Sequence, residues 1–279
     1  MKERLSWLRY YIPLRWTFST RYRNIINIIS FFLIDAFPSL YIVLVVGESS
    51  LETVCYWFVS FVVVFCFYEC GYIFNEVVSV RYEENPTIRI PHPFFSDILK
   101  HLENLVTLRI VIGTIGSWFL LIRYPYNWEL YILEVLLLLS VYTIHNFFRG
   151  RINAITMPLE VTLKYMIPIT VFVPENKLSI ALFTIFVSVV FVRLIEYVSK
   201  KRYISGLNVI KNVDKYRVKY YIASVIFMLA LSYAKDIPLV LCGLPALFLL
   251  YRIFCYYAMR HVAAVSNTIH KGRKIHKTE

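Results

Sequence analysis

Long apolar runs separated by short polar stretches make up most of this chain. Each run is close to the roughly 20 residues that an α-helix needs to cross the hydrocarbon of a bilayer. The connections between the runs are mostly short, and no Gly/Ser-rich linker divides them. We therefore predict an all-α polytopic membrane protein with one domain over residues 1–279. The pattern predicts about eight membrane-spanning helices, at residues 25–46, 51–74, 104–122, 129–147, 157–173, 178–198, 218–234 and 237–257.

The composition agrees with this class, since 58% of the residues are hydrophobic and the mean hydropathy is +0.59. Lysine and arginine are distributed unevenly between alternate connections. One set of connections, together with both ends of the chain, holds most of them, whereas the other set holds Arg123, Lys177 and Lys235. Because basic loops remain on the cytoplasmic side, we expect both termini to be cytoplasmic.

The net charge of +12 is explained by topology and by contact with anionic membrane lipids. No nucleic-acid motif accompanies it, so we expect no nucleic-acid partner. Residues 1–24 are polar and rich in arginine, tyrosine and tryptophan, which is typical of a segment at the cytoplasmic membrane interface rather than of a signal peptide. Residues 258–279 are predicted to be a basic cytoplasmic tail.

Two polar motifs follow apolar runs on the same predicted side of the membrane. The first motif, residues 75–83, reads Asn75-Glu76-x-x-Ser79-x-x-x-Glu83 and is followed by Asn-Pro and Arg89. On a continuous helix these polar residues would be close enough in register to face one cavity. Carboxylates at a membrane margin are expected to line a site, because hydrocarbon penalises charged groups by about several kcal/mol.

The second motif, residues 193–200, carries Arg193, Glu196 and Lys200 at positions i, i+3 and i+7, which again share one helix face. Four predicted spans separate the two motifs. This spacing is typical of membrane proteins with internal repeats, in which the two halves present polar helix ends to a shared cavity. A simpler alternative for the second motif is a basic membrane anchor in which Glu196 pairs with a neighbouring cation.

Over residues 20–260 the chain resembles the UbiA superfamily of intramembrane prenyltransferases. That family carries N-D-x-x-D-x-x-x-D after its second helix and a related acidic motif after its sixth. The first motif keeps this spacing, with Glu76 and Glu83 in place of aspartates and Ser79 in place of the central one. In the second motif, basic residues stand where the family has acids. Tyr142, with Arg149 and Asn153, resembles a tyrosine-plus-basic stretch of the family.

The resemblance implies a UbiA-like bundle around a central cavity that holds the head of an isoprenoid diphosphate or a polyprenyl phosphate. Carboxylates in such a site hold Mg²⁺, which neutralises the departing pyrophosphate. The loss of acids favours one ion over two. The residues expected to bind metal and to act in catalysis are Asn75, Glu76, Glu83 and Glu196. The residues expected to bind phosphate are Arg89, Arg193, Lys200, Arg149 and Tyr142.

The reaction that the resemblance implies is Mg²⁺-dependent transfer of a polyprenyl group from its diphosphate to an acceptor. Two alternatives stay open at this point. Extra basic residues would suit phosphoribosyl transfer to a polyprenyl phosphate, which places two phosphorylated substrates in one site. Degenerate acidic motifs would suit a non-catalytic relative that binds an isoprenoid or a partner.

Overall fold

The computed structural model describes residues 6–82, 89–90, 92–148, 150–201, 210, 212–235 and 237–261. Within these ranges the chain is helical and contains no β-strand, which confirms the predicted all-α class. The α-helices are α1 (Arg15–Thr20), α2 (Ile25–Phe31), α3 (Phe37–Val46), α4 (Leu51–Val77), α5 (His92–Lys100), α6 (Leu102–Arg123), α7 (Trp128–Phe147), α8 (Asn153–Thr170), α9 (Glu175–Ile185), α10 (Phe191–Lys201), α11 (Val213–Lys235) and α12 (Gly243–His261).

Six segments of the described residues are long and apolar enough to cross a membrane, as expected for an integral membrane protein. They are Ile25–Val46, Leu51–Tyr82, Leu102–Arg123, Trp128–Phe147, Glu175–Ser199 and Leu239–Tyr257. The two other predicted spans, at residues 157–173 and 218–234, fall in α8 and α11, which are helical but are not among the six. The count of eight spans therefore stays a prediction.

The helices group into two compact units, Met1–Phe186 and Val187–Glu279. The sequence pattern indicates no boundary between them, because residue 186 lies inside an apolar run. The prediction of a single domain and that of an interfacial segment at residues 1–24 stay predictions. The predicted tail at residues 258–279 lies largely outside the described residues.

In the first unit, α4 is the central helix and packs against α1, α3, α6, α7 and α8. Ser50 caps it by accepting a hydrogen bond from the Thr53 amide at 3.0 Å. Glycines on α6 let the two helices approach closely. A Cβ added at Gly113 would lie 2.7 Å from the Phe67 ring, and one at Gly116 would lie 2.4 Å from Val63.

A π-helical turn at Phe32–Ala36 joins α2 to α3 and places Asp35 inside the unit. The cause is local. Pro38 has no amide hydrogen to donate, and its ring would clash with the carbonyl of Ile34, four residues earlier, in a regular α-helix. That carbonyl accepts instead from the Tyr165 hydroxyl at 2.7 Å. The turn thus costs little, because a side chain from α8 replaces the missing backbone donor.

Helix α8 lies in the interior of the first unit and carries two buried charged residues, Glu160 and Lys164. Lys164 forms an ion pair with Asp35, which also accepts from the Tyr22 hydroxyl at 2.7 Å. Because most side chains of α8 are buried within the protein, it can hold charges that a lipid-facing helix would exclude. Its lower hydropathy follows from that position.

Candidate functional site

The carboxylate of Glu76, in the last turn of α4, is the centre of a buried ion-pair cluster. One of its oxygens accepts from the Trp16 indole Nε1 at 2.9 Å. The other lies 2.8 Å from Arg21 Nη2 and 3.4 Å from Arg89 Nη1. Trp16 and Arg21 come from α1 and the residue that follows it, so the N-terminal segment supplies partners from some sixty residues away. We call Trp16, Arg21, Glu76 and Arg89 the Glu76 cluster.

Among the described residues, the Glu76 cluster carries more positive than negative charge. Two guanidinium groups share one carboxylate, and Arg23 donates to the backbone carbonyl of Arg89. Burial, and then the nearby guanidinium of Arg21, lowers the pKa of Arg89. Because like charges face each other here, an incoming anion would find two donors of the kind that bind phosphate best.

A cluster of three tyrosines adjoins these arginines. The Arg21 guanidinium lies over the Tyr72 ring, 3.5 Å from its centroid. Tyr142 makes edge-to-face contacts with Tyr72 at 6.2 Å and with Tyr68 at 4.9 Å between centroids. Tyr142, predicted to contact phosphate, is therefore buried in an aromatic cluster on α4 and α7 that borders the Glu76 cluster.

Substitution of Gly71 by alanine is expected to disrupt this tyrosine cluster. The added Cβ would lie 2.2 Å from the Tyr142 ring, so the ring must move at a cost of about 1–3 kcal/mol. Gly150→Ala is the matched control, because a Cβ there meets no atom within 4 Å. Unfolding measured in detergent should show a lower stability for Gly71→Ala, and an unchanged stability for Gly150→Ala. Equal stability of the two variants would contradict the packing described.

The predicted helical face through the first motif is wrong in its second half. Helix α4 ends at Val77, and a 3₁₀ turn covers Ser79–Tyr82, so Ser79 lies beyond the α-helical register, and Glu83 lies outside the described residues. Ser79 is buried and donates to the Asn146 carbonyl at 3.5 Å, on α7. Glu76 and Ser79 would share a face on a continuous α-helix, but the backbone changes conformation after Val77. Glu76 therefore contacts α1, whereas Ser79 contacts α7.

Around the end of α7, two buried amide oxygens have no hydrogen-bond donor among the described residues, those of Asn146 and Asn153. Asn146 Nδ2 donates to the Gly71 carbonyl at 3.1 Å, and Asn153 Nδ2 to the His145 carbonyl at 3.4 Å. Asn75, one turn after Gly71 on α4, is half-buried. This corner therefore presents polar oxygens beside the first motif.

The predicted magnesium ligands are described only in part. No group of three or more His, Cys, Asp or Glu side chains that could hold a metal occurs among the described residues. Both oxygens of Glu76 already accept from an indole or guanidinium donor. Glu83 and Arg149 lie outside the described residues, so their predicted roles stay predictions, as does Mg²⁺ itself.

In the second unit, Glu196 on α10 has a partner that the sequence did not indicate. Arg217 on α11 binds it through two hydrogen bonds, of 2.6 and 2.7 Å, and also lies 3.6 Å from Asp214. This bidentate pair ties α10 to α11 and occupies both carboxylate oxygens. Arg193 lies on α10 together with Glu196. The side chain of Lys200 is not among those that the structure describes. That the two motifs share one cavity stays a prediction.

Another ion pair joins Glu69 on α4 to Arg109 on α6, with Nε 3.0 Å from the carboxylate and both side chains fully buried. Glu69 also accepts from the amides of Leu14 and Thr17, which begin α1. Sequence reasoning missed Arg109. An arginine in the middle of an apolar span was the available signal, because such a charge requires a partner.

At the opposite end of α4, the loops between helices line a partly open cavity of about 500 Å³. Its charged lining residues are Glu48, Glu52, Arg123 and Glu175. Glu52 pairs with Arg123, and Glu52 and Glu175 lie in the first turns of α4 and α9, where acids stabilise the helix dipole. None of the predicted site residues lines this cavity.

Comparison of the chain with protein-family models, with curated proteins and with solved structures found no match. The resemblance to the UbiA superfamily stays a prediction that rests on motif spacing. The geometry itself supports a coarser conclusion: this is an all-α integral membrane protein with a buried, cation-rich cluster at the end of its central helix.

Proposed function

We propose that this integral membrane protein binds the phosphorylated head of a polyprenyl lipid at the Glu76 cluster and transfers the polyprenyl group from its diphosphate to an acceptor. In this proposal α8 and α11 complete eight spans, both termini are cytoplasmic, and the fold is UbiA-like. The reaction class comes from the resemblance of the first motif, whereas the choice of an anionic ligand comes from the side-chain geometry.

The observation that carries the proposal is the charge balance of the Glu76 cluster. Arg21 and Arg89 share a carboxylate that can neutralise only one of them. Guanidinium groups bind phosphate oxygens through paired hydrogen bonds, and these are strongest where water is excluded. Arg21 and Arg89 keep part of their surface accessible, at 23% and 33% of the side chain, so an anion can reach them.

The neighbouring tyrosines suit the other half of such a substrate. When the allylic C–O bond breaks, both electrons leave with pyrophosphate, and the prenyl carbon becomes positive until the acceptor attacks and releases a proton. Guanidinium groups stabilise the charge that develops on pyrophosphate. The faces of Tyr68, Tyr72 and Tyr142 can stabilise a nearby cation, as Tyr72 already does for Arg21.

Replacement of Arg21 by glutamine is expected to weaken the binding of farnesyl diphosphate by at least about tenfold, because a charge-assisted hydrogen bond is lost. Arg89→Gln should act in the same direction. Arg123→Gln is the matched control, since it removes the same charge at the other end of the first unit. Binding of radiolabelled farnesyl diphosphate to purified protein measures the effect, with thermal unfolding of each variant as a check of folding.

Release of pyrophosphate decides between transfer and the second candidate, a non-catalytic binder. That candidate is favoured by the engagement of both Glu76 oxygens, which leaves this acid poorly placed to hold a metal. Binding with pyrophosphate release, with or without added Mg²⁺, supports transfer; binding without release supports the binder. Consumption of phosphoribosyl diphosphate with a polyprenyl phosphate supports the reversed reaction. If Arg21→Gln and the wild type bind equally, the site is wrong.

A further inference from the structure

A group of charged and tyrosine side chains in the second unit is not explained by the proposed reaction. Arg252, on α12, lies inside the apolar segment Leu239–Tyr257 and contacts the Tyr251 ring, 5.1 Å from its centroid. Its Nε is buried and has no hydrogen-bond acceptor among the described residues. A guanidinium at membrane depth is costly without an anionic partner, so this position calls for one.

The acids nearby are already engaged. Glu196 and Asp214 both contact Arg217. Arg217 is itself a neighbouring positive charge for Arg252, and the buried Tyr221 lies within electrostatic range of Arg252 and Arg193. Positive charge therefore exceeds negative charge among the described residues of this cluster.

Tyr216, on α11, provides a second donor without a partner. Its hydroxyl is buried and makes no hydrogen bond among the described residues, although it lies within electrostatic range of Arg217 and Glu196. The hydroxyls of the two following tyrosines, in contrast, have acceptors. Tyr220 and Tyr221 donate to the carbonyls of Val187 and Ser188, in the π-helical turn that precedes α10.

We propose that Arg252 and Tyr216, which both lie within electrostatic range of Arg217 and Tyr221, form a binding site for the phosphate of an anionic membrane lipid. A phosphate supplies the oxygens that both orphaned donors require and a negative charge to face Arg252. A lipid is the source because α11 and α12 expose apolar side chains on this unit, with Ile222 44% and Phe254 70% exposed. These surfaces suit an acyl chain, whose head group the basic residues would bind.

The test is lipid binding by the purified full-length chain in detergent. Phosphatidylglycerol should bind and raise the unfolding temperature, whereas phosphatidylcholine, which has no net charge, should do so far less. Arg252→Gln should weaken phosphatidylglycerol binding at least about tenfold. Lys219→Gln, which removes an exposed charge from α11, should bind as the wild type does.

A hydroxyl-deletion variant and competition by inorganic phosphate test the site further. Tyr216→Phe removes only the hydroxyl, so it should fold and should bind phosphatidylglycerol several-fold more weakly, by the loss of one hydrogen bond. Unchanged binding by Tyr216→Phe or Arg252→Gln overturns the site, as does an equal loss in Lys219→Gln. If inorganic phosphate displaces the lipid at millimolar concentration, the assignment to a membrane lipid is wrong. No prenyl substrate is needed, so this result is independent of the proposed transfer.

Discussion

Replacement of Glu69 by glutamine is expected to lower the free energy of unfolding by about 3–5 kcal/mol, the largest effect we expect from a conservative change. Glu69 and Arg109 are both fully buried, and the change leaves the guanidinium without a counter-charge. It also weakens the hydrogen bonds that the carboxylate accepts from the Leu14 and Thr17 amides and from the Thr17 hydroxyl. Three parts of the first unit, α1, α4 and α6, are joined at this one carboxylate.

The exposed pair between Glu52 and Arg123 provides the matched control, because both of its side chains are about half exposed. Glu52→Gln makes the same chemical change, but solvent already screens that pair, so its effect should be close to the error of the measurement. Titration of the purified variants with SDS in mixed micelles measures the free energy of unfolding. A similar loss in both variants would show that Glu69 and Arg109 are not buried together.

Replacement of Trp16 by alanine is expected to cost about 3–5 kcal/mol, since the removal of a fully buried indole leaves a cavity that the surroundings fill only in part. Trp16 packs in one core cluster with Tyr10, Ile73 and Val77. Its loss also removes the indole donor from the Glu76 carboxylate. The binding of farnesyl diphosphate should therefore change together with stability.

Trp118→Ala is the control for this prediction, because Trp118, on α6, is 67% exposed within the protein and leaves no internal cavity. The SDS titration should separate the two variants clearly. Trp16→Phe keeps most of the volume but lacks the indole donor, so it should fold and still change the environment of Glu76. If Trp16→Ala unfolds no more easily than Trp118→Ala, the N-terminal segment does not pack onto α4 as described.

Much of the fold followed from local pattern. Apolar runs of span length predicted six segments that the structure contains as helices long and apolar enough to cross a membrane. The same reasoning did not indicate that α8 lies in the interior of the first unit, where a mostly buried helix carries Glu160, Lys164 and two prolines. Its environment depends on which helices surround it, and hydropathy does not report that.

The candidate site was predicted only in part. Motif spacing identified Glu76 and Arg89, which the structure brings together, and Tyr142, which lies beside them through Tyr72. Trp16 and Arg21 were missed as partners because they lie in a segment that was assigned to the membrane surface. Arg217 was likewise missed within a run of basic residues typical of a cytoplasmic loop.

The sequence by itself determined the class of the protein, since the tendency of a 20-residue apolar run to form a membrane helix depends on that run alone. Only the tertiary structure decided which charges meet. Glu76 with Arg21, Glu69 with Arg109 and Asp35 with Lys164 are paired across 40 residues or more of chain. The cost of burying a charge ensures that each needs a partner, but its identity depends on how the helices pack.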